Sequence, residues 1–353
     1  MVRRAIAVSV LVLCSAVLSA QNAQNNTPKP EPPKKLTDAQ RREIQAIQKI
    51  VDGAAAGQPA ANDLTLAWAR EDVLKAQGNK QYVPFTVTLD ASKAAGKELT
   101  VYWRVVAKSA APAVTAPAAT GGNNRNEKPA PPPMFAYEDM NTAVLTPGPM
   151  RISRAFNVEP GPYDVFVVVK EATSTQRNAP PPKLSLIKQS VDIPDFWNGE
   201  LATSSVMVAE RIDPLPAPLT PEQQTERPYA LGNMEIIPAS STNFTKKAEL
   251  ATFMLIYNAK TDAANKPDVS VEYSFYAKQA GAEKFFNKTN PQNLNAQTLP
   301  PQFDFAAGHQ LQSGQAVPLA SFPEGEYRLE IKVTDKLANK TLTRDVNFSV
   351  AGS

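Results

Sequence analysis

The sequence has very little of the chemistry from which most active sites are built. Its 353 residues include one cysteine, Cys14, and one histidine, His309. A single histidine leaves a Ser–His–Asp triad one candidate base, and no Gly-x-Ser-x-Gly motif supplies a nucleophile turn. A single cysteine cannot form an internal disulfide, and the two residues are too few for a cysteine–histidine zinc site. The composition argues against triad hydrolases, thiol enzymes and zinc fingers, and we predict that the protein is not an enzyme.

The chain also lacks a strong charge of either sign. Lysine and arginine number 37 against 34 aspartates and glutamates, which gives a formal net charge of +3. The basic pairs are isolated from one another: Lys34-Lys35, Arg41-Arg42 and Lys246-Lys247. Binding of nucleic acid or anionic lipid depends on clustered positive charge, and phosphate-bearing cofactors need a Gly-rich loop that this sequence does not contain. We predict no nucleic-acid partner, no cofactor and no metal.

Proline, in contrast, is abundant, with 32 residues against 15 glycines. Because proline interrupts helices, this number excludes a mostly helical protein and favours short strands, turns and stiff linkers. Hydrophobic residues make up 42% of the chain, so most of it is expected to fold. The length suggests two domains.

Residues 1–20 have the pattern of a secretory signal peptide. Arg3-Arg4 form the charged start, an apolar stretch follows over 5–18, and Ser19-Ala20 are small residues suited to cleavage. The apolar stretch has about fourteen residues, whereas a membrane-spanning helix needs about twenty. We predict that this signal is cleaved and that the protein is exported, to the periplasm, the cell surface or the medium, with no transmembrane segment after cleavage. An uncleaved membrane anchor is the alternative.

Two short segments precede the main body of the chain. Residues 21–36 are polar and Pro-rich, which predicts a disordered, extended spacer. Residues 37–57 are predicted to form an amphipathic helix that packs on the following domain, with binding of a partner as the alternative. Its apolar residues at helical spacing are Ile44, Ile47, Ile50 and Val51.

The apolar pattern then changes to the period of two that is typical of strands. We predict an all-β fold of two immunoglobulin-like antiparallel β-sandwich domains in tandem, at 60–212 and 229–351. A low-complexity insertion at 109–133 interrupts the first domain, and a Pro-rich linker at 213–228 is expected to hold the domains apart or at a fixed angle. The clearest alternation, with polar residues between its members, is that of Tyr327, Leu329, Ile331 and Val333.

One motif occurs twice, and it carries a resemblance. The shared pattern runs proline, glycine, x, tyrosine, alternating strand and aspartate, as at Pro160, Gly161 and Tyr163 and again, with Glu324 between proline and glycine, at Pro323, Gly325 and Tyr327. Residues 64–350 resemble the tandem β-sandwich modules of exported Acidobacteria-type proteins, the kind that accompany GWxTD or von Willebrand A-related domains. No GWxTD motif occurs here, and Asp90 to Ala94 fails the metal pattern Asp-x-Ser-x-Ser. The resemblance implies an extracytoplasmic module of unknown activity and carries over no functional residues.

The loop Phe196-Trp197-Asn198 is the main candidate for ligand binding. Two aromatic residues followed by Asn-Gly at a strand exit could stack on a sugar ring or fit a protein groove, and exposed aromatic residues are typical interface hot spots. The alternative is that both rings cover the end of the sandwich core. A buried Trp197 would exclude sugar stacking.

Other candidate sites are weaker. Asp192 with Asp195 could serve a carboxylate hydrolase that needs no histidine, and Glu138 with Asp139 is a poorer pair because adjacent strand residues point to opposite faces. His309 is expected to be an exposed loop residue. A calcium site is conceivable in one loop, although its spacing matches no EF-hand; its oxygen ligands would be Asp262, Asn265 and Asp268.

These observations favour a non-catalytic interaction or scaffold protein of the cell envelope. Its partner would be an envelope protein or polysaccharide, which the sequence does not identify. The second hypothesis is a carbohydrate-binding module that uses Phe196 and Trp197. The third is the carboxylate hydrolase with Asp192 and Asp195 as its paired acids.

Overall fold

The structure is a computed structural model that describes residues 37–108, 135–173, 179–279 and 281–352. The predicted signal at 1–20, the spacer at 21–36 and the insertion at 109–133 lie outside the described residues. The elements in chain order are α1 (Asp38–Ala55), β1 (Ala67–Glu71), β2 (Leu74–Lys75), β3 (Gln81–Asp90), β4 (Glu98–Ala107), β5 (Tyr137–Val144), β6 (Pro149–Val158), β7 (Gly161–Glu171), β8 (Leu184–Ile193), β9 (Ala202–Thr203), β10 (Met207–Pro214), α2 (Pro221–Glu226), β11 (Ala230–Leu231), β12 (Met234–Pro238), β13 (Asn243–Thr245), β14 (Glu249–Tyr257), β15 (Val269–Gln279), β16 (Ala282–Lys288), β17 (Gln292–Leu294), β18 (Leu311–Pro318), β19 (Gly325–Asp335) and β20 (Lys340–Ala351).

The chain forms two compact modules. The N-terminal module comprises Glu31–Glu71 and Phe85–Asp195, and the C-terminal module comprises Asp72–Pro84 and Phe196–Ser353. Segment 201–212, which the predicted boundary assigns to the end of the first domain, lies instead in the C-terminal module, because β9 and β10 both pair with β14. The predicted boundary at 212 is therefore wrong.

In the N-terminal module, β5, β4, β7 and β8 form one antiparallel sheet, and β3 pairs with β1 and β6 in a second sheet. Aromatic side chains join the two sheets. Phe85 lies 6.2 Å from Trp103 and 6.0 Å from Phe156, measured between ring centroids. The Trp103 indole donates a hydrogen bond of 3.1 Å to the Ala155 carbonyl, so its only polar atom is satisfied inside the core.

Helix α1 covers the outer face of the β4–β7–β8 sheet. Ile47 and Val51 are fully buried there against Tyr102, Phe166 and other apolar residues of the sheet. Ile50, expected on the same apolar face, is 37% exposed, because at about 100° per residue it lies on the side of Ile47 away from Val51, at the margin of the buried face. This part of the helix prediction is wrong.

The C-terminal module is also a sandwich of two sheets. One has the order β11-β12-β10-β14-β18 with β9 on β14, and the other has the order β13-β20-β19-β15-β16 with β17 on β15. Apart from the parallel pair β13–β20, the pairs described in both sheets are antiparallel. The core lies between the sheets, where Leu250, Met254 and Ile256 of β14 meet Leu329 and Ile331 of β19.

Segment 213–228, predicted to be a linker between domains, is part of the C-terminal module. Its start belongs to β10, which pairs with β12. Helix α2 follows, with a capping box in which Thr220 and Gln223 each accept a hydrogen bond from the other's backbone N–H. The Tyr82 hydroxyl then binds the Pro228 carbonyl at 2.9 Å. The prolines here shape turns within one module.

The repeated motif builds the same corner in both modules. The Tyr163 hydroxyl donates to the Glu159 carbonyl at 2.9 Å, and the Tyr327 hydroxyl donates to the Pro323 carbonyl at 2.7 Å. In each case a glycine two positions earlier has positive φ, 141° and 148° respectively, a conformation that favours glycine. A tyrosine corner of this type is a hallmark of immunoglobulin-like sandwiches.

The repeat extends to a carboxylate eight residues after each tyrosine. Glu171, at the end of β7, accepts hydrogen bonds from the backbone N–H groups of Ala95 and Lys183 at 2.6 and 2.8 Å. Asp335, at the end of β19, accepts from the Lys260 N–H at 2.7 Å. Both acids are buried; Glu171 holds the loop between β3 and β4, and Asp335 holds the loop between β14 and β15. The predicted fold class, all-β with two immunoglobulin-like sandwiches, is confirmed.

Candidate functional site

The aromatic loop 196–199 divides its two rings between core and surface. Phe196 is buried, with 3% exposure, and its ring lies 5.1 Å from that of Tyr257. Its carbonyl accepts a hydrogen bond of 3.0 Å from the Asn258 amide. Phe196 is therefore a core residue, and the prediction that it contacts a ligand is wrong.

Trp197 is presented at the surface, with 40% exposure. Its indole N–H donates to the Lys80 carbonyl at 3.1 Å, and the Lys75 ammonium lies 4.2 Å from the ring centroid. Lys75 is held there by a hydrogen bond of 2.9 Å to the Asn258 amide oxygen. The ring is thus fixed by a hydrogen bond and a cation–π contact, and it can offer a rigid aromatic surface to a partner.

Asn198 has a local structural role. Its side-chain oxygen accepts a hydrogen bond of 2.9 Å from the Glu200 N–H, which closes a turn around Gly199. Of the three residues predicted as a ligand site, Trp197 is the one whose side chain can contact a ligand without first leaving the core or opening a turn.

The predicted acid pairs do not converge. Glu138 accepts hydrogen bonds from Arg104 at 2.8 Å, from Gln48 at 3.1 Å and from the Tyr102 hydroxyl. Its neighbour Asp139 accepts instead from the Met140 N–H at 2.7 Å. Glu138 therefore fastens α1 to the sheet.

Asp139 also acts on a tyrosine of the same strand. Burial, together with the Asp139 charge and hydrogen bond, raises the pKa of Tyr137 to about 12. Asp192 and Asp195, at the end of β8, are both exposed. Glu138 and Asp139 bind different partners, which is not the arrangement of two carboxylates on either side of one bond.

The remaining candidates serve their own loops. His309 is half-buried rather than exposed, because its ring packs 5.8 Å from Phe303 and its Nδ1 accepts from the Asp304 N–H at 2.9 Å. Asp262, a proposed calcium ligand, accepts from the backbone N–H groups of Ala264 and Lys266 at 2.8 and 2.9 Å. Across the described ranges, no three acidic, histidine or cysteine side chains are grouped so that they could hold a metal ion.

No helix in the described part of the chain is both long and apolar enough to cross a bilayer.

Sequence reasoning missed a groove in the C-terminal module. Its volume is about 1320 Å³, and its lining comes from β10, β14, β18, the segment 239–244 and the segment 288–294. The signal for it was present in β18, where Ser313 and Gln315 occupy inward positions between Leu311 and Val317. Both polar residues are nevertheless buried.

A polar network lies beside this groove. The Tyr273 hydroxyl and Ser313 Oγ are 2.8 Å apart, and Ser313 donates to Gln292 Oε1 at 2.6 Å. The Gln292 amide N–H₂ in turn donates to the Gly314 carbonyl at 2.6 Å and to Gln315 Oε1 at 3.2 Å. Burial raises the pKa of Tyr273 to about 12, so its hydroxyl stays protonated at neutral pH. The network places amide and hydroxyl groups where a sandwich normally has aliphatic side chains.

No family model matches the chain, and no curated protein matches it. Among solved structures, an immunoglobulin-like protein from Pseudomonas aeruginosa is similar at 12% identity over 42% of this chain and 97% of that one, with a TM-score of 0.20. The alpha-2-macroglobulins of Salmonella and Escherichia coli are similar at 13% and 11% identity, over 81% and 84% of this chain, with TM-scores of 0.20 and 0.22. This chain spans only 16–17% of those two macroglobulins.

Proposed function

We propose that the protein is an exported, non-catalytic interaction or scaffold protein of the cell envelope. The observation that supports this most is that the side chains best suited to catalysis or metal binding hold loops and a helix of the fold in place. His309 and Asp262 hold loops, Glu138 holds α1, and Glu171 and Asp335 hold the loops of the two sandwiches. Because these side chains stabilise the fold, we expect the protein to act by recognition, through its loops, grooves and strand edges.

The export part of this proposal depends on the signal pattern at 1–20. The partner class, an envelope protein or polysaccharide, follows from that destination. After cleavage at 20 the remaining chain contains no cysteine, so an oxidising compartment would not affect its folding.

The experiment is to incubate the mature protein with purified envelope polymers from the producing cell. We expect retention of the protein on one envelope component without any release of soluble products. Release of new reducing ends or of peptide fragments, in proportion to protein concentration, would contradict the proposal.

A carbohydrate-binding role for Trp197 is the second candidate, because the ring is partly exposed and rigidly held. The test is Trp197→Ala with Trp68→Ala as a matched control. Trp68 is also half-exposed, but its ring stacks on Phe85 at 5.0 Å. If Trp197 binds a polysaccharide, Trp197→Ala should weaken retention of the protein on that polysaccharide, and Trp68→Ala should not. Equal retention of both variants rejects this role.

A further inference from the structure

The size of the groove in the C-terminal module points to an extended ligand. Small-molecule sites commonly enclose about 300–1,000 Å³. The groove, at about 1320 Å³, is larger than this range. A chain of several linked units fits such a space better than a single small molecule does.

The ionisable residues that line the groove carry no net charge. Two acidic and two basic residues line it, Glu210 and Glu249 against Arg211 and Lys288. Most other polar lining groups are amides and hydroxyls, including Asn290, Gln292, Gln312, Gln315, Ser313 and Thr252. Such groups donate and accept neutral hydrogen bonds, which suits a ligand that is itself rich in neutral hydroxyl groups.

The edge of β18 argues against an extended peptide as the ligand. This strand has one described neighbour, β14, so a peptide could in principle add to its other edge. The Gly314 carbonyl, in the middle of β18, is already bound by the Gln292 amide at 2.6 Å. A peptide strand would have to displace Gln292 to complete the ladder, and Gln292 is also bonded to Ser313 and Gln315.

Gln312 supplies an acceptor within this lining. Its Oε1 atom is buried and accepts no hydrogen bond from any side chain or backbone group that the structure describes. An acceptor buried in this way costs free energy until a donor reaches it. A ligand hydroxyl in the groove could provide that donor.

We propose that the groove binds a neutral oligosaccharide through side-chain amides and hydroxyls, with Gln312 as one of the residues that contact it. This site is separate from Trp197, and the proposal rests on the proposed function, within which it selects polysaccharide as the partner class. The carbohydrate would lie across β14 and β18, where Ala251 of β14 lies opposite Ala316 of β18. Small side chains there leave room for a sugar ring to approach the sheet.

The test is calorimetric titration of the full chain with maltohexaose, cellohexaose and chitohexaose, and with an extended peptide of alternating threonine and valine. Gln312→Met is the main variant, because it keeps the side-chain length and removes the acceptor. Gln279→Met, an exposed residue of β15 outside the groove, is the matched control. Asn290→Ala, at an exposed position of the lining, is the second groove variant and is not expected to affect folding.

We expect at least one oligosaccharide to bind. Gln312→Met should weaken its Kd about tenfold, the change expected for one buried hydrogen bond, and Asn290→Ala should also weaken it. Gln279→Met should leave the Kd unchanged. The proposal is overturned if none of the three oligosaccharides binds, if both groove variants bind like the wild type, or if only the peptide binds.

Discussion

At the scale of single residues, the paired tyrosine corners show how one short motif can set the same geometry twice. Each hydroxyl reaches back four residues to a carbonyl that would otherwise end a turn without a partner. We expect Tyr163→Phe and Tyr327→Phe each to lower the free energy of unfolding of their module by about 1 kcal/mol, because one neutral hydrogen bond is lost. Denaturant titration measures this difference.

Tyr276→Phe is the control for these two substitutions. Tyr276 is half-buried in the C-terminal module, and its ring makes the contacts, with Phe285 at 5.9 Å and with Arg328 at 4.6 Å. Its hydroxyl should contribute little to stability. A loss at Tyr276 as large as that at Tyr327 would show that the corner bond has no special importance.

Asp164 makes the stability of the N-terminal module depend on pH. Partial burial raises the pKa of this carboxyl, but hydrogen bonds from Lys188 and Ser190 and the charge of Lys108 outweigh burial, so the pKa lies below 3.8. A lowered pKa in the folded state stabilises the protein above the unfolded pKa of about 3.9, and the stabilisation is lost as pH falls through the folded pKa.

Asp164→Asn should therefore remove part of the acid-induced loss of stability. The measurement is the free energy of unfolding of both proteins from neutral pH to about pH 2. We expect the two curves to converge below about pH 4. Curves that stay parallel over this range would contradict the role given to Asp164.

At the scale of elements, the rotation of α1 about its own axis decides which of its residues are buried against the sheet. Ile47 is fully buried, while Ile50, three residues later, is 37% exposed. We expect Ile47→Ala to destabilise the N-terminal module by about 2–4 kcal/mol, and Ile50→Ala to change its stability by less than about 0.5 kcal/mol. Thermal unfolding of the two variants tests this directly, and equal effects would indicate a different helix register.

Polar contacts explain why this register was not visible in the sequence. The pattern of isoleucines alone allowed Ile50 to share the apolar face. The structure adds hydrogen bonds from Lys170 to Glu43 at 2.9 Å and from Arg104 to Asp52 at 2.7 Å, one in each half of the helix. These partners lie about 50 and 130 positions away in sequence, and a local pattern cannot reveal them.

Strand prediction succeeded where the strand carried its own alternation, as in β19. It failed where the sheet to which a strand belongs depends on pairing with residues far away in the sequence. The strand at 201–212 looks the same from sequence whether it pairs within the first sandwich or with β14. The groove was missed for a related reason, because inward polar residues such as Ser313 and Gln315 resemble a weak strand until their partners are known.

At the scale of the whole molecule, the domain boundary has a measurable consequence. A fragment covering 229–352 lacks β9 and β10, and β14 then loses a neighbour on one edge. A fragment covering 196–352 keeps both strands. We expect the longer fragment to retain more β-structure and to unfold more cooperatively, as measured by circular dichroism on heating. Equal behaviour of the two fragments would favour the boundary at 212.

The C-terminal module includes the segment Asp72–Pro84, which lies more than a hundred positions before the rest of the module in the sequence. Val73 donates its N–H to Ser205, 132 positions later, and the Lys75 N–H binds the Tyr257 hydroxyl, 182 positions later. A chain that emerges N-terminus first would hold this hairpin without its partners until most of the protein had been made. Contacts of such long range form slowly. We therefore expect this hairpin to stay unfolded in chains whose synthesis ends early. Proteases that act on unfolded segments can then degrade those incomplete chains.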